Sequence, residues 1–269
     1  MGMTRLMLIC FFMGSCISIT GTAVMAGPEA GPTNLPFSPG EEILYDVRWQ
    51  QYWAGEASIR VLPFTRVKGR SAYHFEMRLK TNEFLDKFFK VREIIQGFVS
   101  KDFSDSVGYE YKAVGKKKKD IKLDFSPQTH TVVYSNFDEI RDPIEIPEHC
   151  FDPLSSYFKL RTLELIEGQT LAFPVTDGKK FFTQKGEIIG SEQISLKSGT
   201  NDTLVVYDTL VVVPYVTHFS GVFEKSKDPT VRVWISKDEK QIPIRIRIRV
   251  VVGSIFFDLR SYSPGAKGN

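Results

Sequence analysis

Few side chains in this 269-residue sequence could make or break a bond. His149, Cys150 and Asp152 stand together and form the one cluster with thiol or metal-binding character. A zinc site needs three or four protein ligands, and no second cysteine or histidine motif lies near them. A cysteine nucleophile needs a base within hydrogen-bonding reach, and the side chains of adjacent residues such as His149 and Cys150 seldom face each other. His74, His130 and His218 are scattered over strand-like stretches. There is no Gly-x-Ser-x-Gly elbow, no phosphate-binding loop, no dinucleotide fingerprint and no His-Glu-x-x-His pair. The sequence therefore predicts no enzyme and no cofactor.

Binding chemistry is better represented. Arg245, Arg247 and Arg249 alternate with Ile244, Ile246 and Ile248. Three guanidinium groups on one strand face could grip a phosphate or carboxylate bidentately, with Arg232 added from a neighbouring strand. A wetted strand face with acids across the pair has the same pattern. Lys116 to Lys119 follow Gly115 and read as a hairpin tip, either simply solvated or touching anionic lipid at about 1 kcal/mol per lysine. Phe84, Leu85, Phe88 and Phe89 fall at helical spacing, as do Leu154, Tyr157 and Phe158. If these two segments flank a groove they could hold an acyl chain, at about 0.8 kcal/mol per buried methylene. Ordinary packing of a helix on a core gives the same residues. The candidate ligand-binding set is thus Phe84, Leu85, Phe88, Phe89, Leu154, Tyr157 and Phe158, with Arg245 and Arg247 for a headgroup.

The elements that must carry these residues are mostly strands. Ile43, Tyr45, Val47 and Trp49 alternate with polar or smaller neighbours, as do Ala57, Ile59 and Val61, then Tyr73, Phe75, Met77 and Leu79. A period of two buries one face and wets the other, an antiparallel habit. Turn signals at Gly69-Arg70, Ser126-Pro127, Asp177-Gly178 and Lys237 to Lys240 separate the runs at hairpin spacing. About a dozen strands result, too many for a flat sheet that neither curls nor closes. Helix is predicted in two places: a short one over Glu83 to Phe89, and a longer one opened by Asp152 as N-cap and Pro153 at the first position, running to about Leu165. The fold class is mainly β: a strongly curved antiparallel sheet, a half-barrel, with one or two inserted helices.

The N-terminus reads as a secretory signal peptide over residues 1–26, with one basic residue, an apolar run from Leu6 to Met13 and small residues before Ala26. Met13-Gly14-Ser15-Cys16 loosely matches a lipoprotein processing site, so an outer-membrane lipoprotein anchored through Cys16 is the alternative to a free periplasmic protein. Residues 27–39 read as a flexible leader, 40–262 as one domain and 263–269 as a disordered tail. Loss of the signal would remove Cys10 and Cys16 and leave Cys150 alone, without an intramolecular disulfide. The 42% apolar content suffices for a packed core, and a formal net charge of +3 is too small to suggest a nucleic-acid binder.

Several motifs have a family look. Gly40-Glu41-x-Ile43-Leu44-Tyr45-x-Val47-x-Trp49 is followed by Ala54-Gly55-Glu56-Ala57 and Phe88-Phe89-Lys90-Val91-Arg92-Glu93. Asp152-Pro153-Leu154-Ser155-Ser156-Tyr157 lies mid-chain, and Val233-Trp234-Ile235-Ser236 and Ile242-Pro243-Ile244 lie near the end. Together they resemble the exported bacterial family named domain of unknown function 3108, over nearly the whole mature chain. That resemblance implies similarity to the lipoprotein-localisation carriers, curved half-barrels whose apolar cavity shelters acyl chains. The expectation it supports is a non-catalytic periplasmic carrier for a lipid or lipoprotein acyl chain, with basic side chains at the cavity mouth. The alternative is an envelope assembly or interaction protein that fills its own cavity. Peripheral contact with a membrane is compatible with both, and the oligomeric state is open.

Overall fold

The computed structural model describes residues 35–115, 118–198, 203–215, 231–250 and 252–265. The expected signal peptide, most of the leader, Lys116, Lys117, His218 and the last four residues lie outside them.

The described residues form fifteen strands: β1 (Glu42–Trp49), β2 (Tyr52–Val67), β3 (Arg70–Thr81), β4 (Val91–Ser100), β5 (Ser106–Gly115), β6 (Lys119–Ser126), β7 (Thr131–Asn136), β8 (Glu139–Ile140), β9 (Ile144–Glu145), β10 (Thr170–Thr176), β11 (Phe181–Ser198), β12 (Thr203–Tyr215), β13 (Val231–Ser236), β14 (Pro243–Arg249) and β15 (Ser254–Ser263). Two helices interrupt them, α1 (Glu83–Asp86) and α2 (Pro153–Arg161). All fifteen strands belong to one antiparallel sheet that does not close into a barrel. Its order runs β10 to β15, then β1 to β8, with β9 also on β7, so the last strand pairs with the first in the middle of the sheet.

The period-two reading holds in β1 and β14, while β13, read the same way, is buried on both faces from Val233 to Ser236. Ile43, Tyr45 and Val47 are buried on one face of β1, and Ile244, Ile246 and Ile248 on the same face of β14. Curvature turns this face inward around α2, and the alternating charged residues cover the outside.

The two ends of the sheet approach each other without pairing as strands. The segment before α2 bridges them: Ser106 at the start of β5 donates its N–H to the Cys150 carbonyl at 3.1 Å, while Phe151 makes a parallel bridge to Val175 of β10. The turn between β10 and β11 closes down on the other arm at Gly178, whose φ is +80°. A Cβ there would lie 2.2 Å from Leu123 Cδ2, so only glycine lets this turn rest on β6 and β7.

Both helices are shorter than their apolar spacing predicts. α1 is one turn, capped by the Asn82 side chain accepting from Leu85 N–H at 2.8 Å, and Phe88 and Phe89 lie beyond its end. α2 stops at Arg161 because both Thr162 N–H and its hydroxyl donate to the Lys159 carbonyl, at 3.0 and 2.8 Å. Leu163 and Leu165 then pack on the core from a non-helical strand of chain. Within the segment read as a leader, Phe37 is 6% exposed and packs edge-on against Phe158 with ring centroids 5.0 Å apart. Its aromatic ring has more apolar contact to gain inside the sheet than the Gly- and Pro-rich segment around it loses in freedom.

Candidate functional site

The inside of the curved sheet is built around α2. Asp152 caps it, accepting from Leu154 and Ser155 N–H, both at 2.9 Å, and from the Ser106 hydroxyl at 2.7 Å. The helix comes this close to β4 because Gly97 faces it, where a Cβ would sit 2.8 Å from Ser155 Oγ. Burial pushes the Asp152 carboxyl up to about 6, against the pull of these hydrogen bonds.

From this anchored end α2 projects aromatic rings into the sheet. Phe158 is fully buried and stacks on Phe75 with centroids 3.7 Å apart. Phe37 and Phe103 complete the cluster. The Tyr157 hydroxyl lies 3.3 Å from that of Tyr45, which donates to the Pro243 carbonyl at 2.9 Å. At the far end Arg161 reaches Glu41 at 2.6 Å and donates to the Lys240 carbonyl.

The proposed groove residues therefore separate. Leu154 and Phe158 are buried beside each other's helix face, and Tyr157 is half-buried with Tyr45. Leu85 and Phe89 are partly buried against the core. Phe84 and Phe88 point to solvent, 67% and 74% exposed, and touch each other at 5.7 Å. The structure does not gather the seven into one lining.

Arg245 and Arg247 lie on the convex face, because the isoleucines between them take the concave one. The headgroup role was expected at a cavity mouth, and these arginines take the face opposite the buried isoleucines. Arg245 instead shares Asp258 with Arg48, and the pattern continues across the sheet: Arg260 meets Asp46 and Glu56, Lys80 meets Glu56, and Arg78 meets Glu76. Hydrogen bonds from Arg78 hold the Glu76 carboxyl below its ordinary range, and one from Lys80 does the same for Glu56. The acids across the pair are present, and this face is a knitted, solvated ladder.

Cys150 is 1% exposed, and burial pushes its thiol up to about 12. His149, with φ +58°, turns outward instead and sits 3.8 Å from Asp105. The chain thus separates the two residues whose adjacency suggested chemistry. Among the described residues no group of three or more His, Cys, Asp or Glu could hold a metal ion.

Sequence reasoning missed the surface at one end of the sheet. The β1–β2 turn, the β3–β4 connection through α1 and the β14–β15 turn all emerge there, by antiparallel alternation. Trp49 donates its indole N–H to the Val252 carbonyl at 2.9 Å, Tyr52 pairs with Trp49 across the turn, and the Asn82 amide donates to the Trp53 carbonyl at 2.7 Å. Asn82 in turn caps α1, which carries Phe84. Trp49, Tyr52, Trp53, Phe84, Phe88 and Val252 thus form one exposed apolar rim. Its signal in the sequence is Trp49-Gln50-Gln51-Tyr52-Trp53, three large aromatics bracketing a two-residue polar turn. At the opposite end a cleft of about 600 Å³ opens between Arg70, Ser100, Lys101, Asp102, Asp105 and Pro127.

A long, incompletely closed antiparallel sheet wrapped around one helix defines a β-barrel-like protein. Its fold is similar to the crystal structure of a β-barrel-like protein of domain of unknown function DUF1849 from Brucella abortus, with a TM-score of 0.50 and 9% identity over 83% of this chain and 97% of that one. The family model for "Protein of unknown function (DUF3108)" matches residues 44–260, and the chain belongs to that family. Nothing among curated proteins matches it.

Proposed function

We propose that this chain is a non-catalytic interaction protein of the bacterial cell envelope that works through its surface rather than through an internal ligand cavity. The observation that carries this reading is the stack of Phe158 on Phe75, fully buried at 3.7 Å, in the space an acyl chain would need. A carrier of the kind the family resemblance implies must leave apolar room inside. Here α2, Phe37 and Phe103 occupy it with the protein's own rings. Cys150, the candidate nucleophile, has its thiol pushed far above neutral pH by burial, which argues against an enzyme.

The test is native mass spectrometry on residues 27–269, made in a bacterial periplasm and purified without detergent. The expected result is the mass of the polypeptide alone, unchanged after incubation with fatty acid or phospholipid. A stoichiometric acyl-lipid adduct would overturn the reading and restore the carrier.

A further inference from the structure

We propose that the apolar rim docks on an anionic lipid bilayer, entering its headgroup layer side-on to the sheet end. The proposal rests on the surface-acting reading and names the partner of that surface.

Three features of the rim point to lipid. It is aromatic in composition: two tryptophans, a tyrosine and two phenylalanines lie at one end, with Tyr52, Trp53, Phe84 and Phe88 each more than half exposed. Tryptophan and tyrosine favour the boundary between water and hydrocarbon, where the ring is buried and the polar edge stays wet. It is also held in place from below. The Trp49 ring is tied through its indole N–H to the Val252 carbonyl, and the backbone that carries Trp53 is tied through its carbonyl to the Asn82 amide. Finally, the charges flanking it are mostly positive. Lys87 and Lys90 follow Phe84 on the same connection and are exposed, and Lys118 is exposed in the neighbouring β5–β6 turn. Of the acids nearby, Asp86 is bound by Arg92, and Glu56 by Lys80 and Arg260. Glu83 remains exposed on α1. Basic side chains beside interfacial aromatics complement an anionic headgroup layer, and the attraction decays within a Debye length of it.

The chain contains three tryptophans, and two of them are in the rim while Trp234 is 6% exposed. Tryptophan emission therefore reports docking directly. Residues 27–269, which contain the whole described sheet, would be titrated with vesicles of phosphatidylcholine alone and of phosphatidylcholine with roughly a third phosphatidylglycerol. The expected result is a blue shift and co-sedimentation with the anionic vesicles, weakened by salt. The triple variant Trp53→Ser, Phe84→Ser, Phe88→Ser changes exposed side chains and should cut vesicle partitioning more than tenfold with an unchanged melting temperature. Lys87→Glu with Lys90→Glu should cut it by at least fivefold per site at low salt.

No binding to anionic vesicles, or equal binding to neutral ones, would overturn the proposal. So would undiminished binding by the triple variant, which would place the contact elsewhere, or a concentration-dependent dimer abolished by Trp53→Ser, which would make the occupant a second copy. A polypeptide-only mass with no vesicle binding would leave the surface-acting reading standing without lipid. An acyl adduct before any vesicle is added would remove that reading itself.

Discussion

The Arg161 guanidinium lies 2.6 Å from the Glu41 carboxylate, and neither side chain has appreciable contact with water. The pair joins the last residue of α2 to the residue before β1, 120 positions earlier in the chain. The second carboxylate oxygen of Glu41 accepts from Arg161 and from the Tyr262 hydroxyl of β15. One buried ion pair therefore fastens the plug to both central strands. Glu42, next in sequence, takes the opposite face and meets Arg60 outside.

Breaking that pair should be costly in one direction only. Arg161→Ala leaves an uncompensated buried carboxylate and should lower the unfolding free energy by about 3–5 kcal/mol, measured by urea denaturation. Removing both charges with Glu41→Gln and Arg161→Met should recover a large part of that loss. A double variant no better than the single one would contradict this account.

Phe158 and Phe84 are both phenylalanines on helices, and their truncation should separate interior from rim. Phe158→Ala deletes a fully buried ring and should destabilise by about 3–5 kcal/mol. Phe84→Ala removes a ring that is 67% exposed and should change stability by no more than about 0.5 kcal/mol. Thermal unfolding of the two variants side by side checks both.

Asp152 should give stability a pH dependence with a definite sign. Burial raises its folded-state value to about 6, above the ordinary 3.8, so the folded protein holds this proton more tightly than the unfolded chain. The contribution is complete below about pH 4 and is lost as pH rises through 6, a fall of roughly 3 kcal/mol at most. Asparagine caps a helix nearly as well and carries no charge. Asp152→Asn should therefore remove the decline between pH 4 and 6, as read from urea midpoints across that range; an unchanged slope would assign it to other groups.

Cys150 should be chemically silent in the folded protein. With its thiol pushed to about 12 and 1% exposed, iodoacetamide at pH 8 should label it only in denaturant. Rapid labelling of the native chain would show that the segment around Phe151 opens.

Much of the frame was legible because it depends on local pattern. Arg245 and Ile246 differ in face by the geometry of a strand, and Asp152-Pro153 starts a helix by capping chemistry alone. The face on which the arginines fall was readable too: a ladder alternating with isoleucines cannot share their concave side. What lay beyond the sequence were contacts between distant segments. Nothing near Phe37 says that a ring in a Gly- and Pro-rich stretch will find Phe158, and nothing near Phe151 predicts its bridge to Val175. Spacing alone placed Phe84 and Phe158 in one groove, since both read as apolar helix; which helix is covered depends on where the sheet curves. The rim is a sum of three turns brought together by strand order, so no single stretch announces it.

The pairing of β15 with β1 places both chain termini of the domain at the centre of the sheet rather than at its margins. Glu42 is matched with Ser263, so the two arms of the sheet pair strand to strand through β1 and β15, while the segment before α2 links their far ends. That junction cannot form until β15 has been made, and contacts so distant in sequence fold slowly. Deleting β15 would cost this protein its keystone and leave β14 and β1 each with a raw edge open to aggregation.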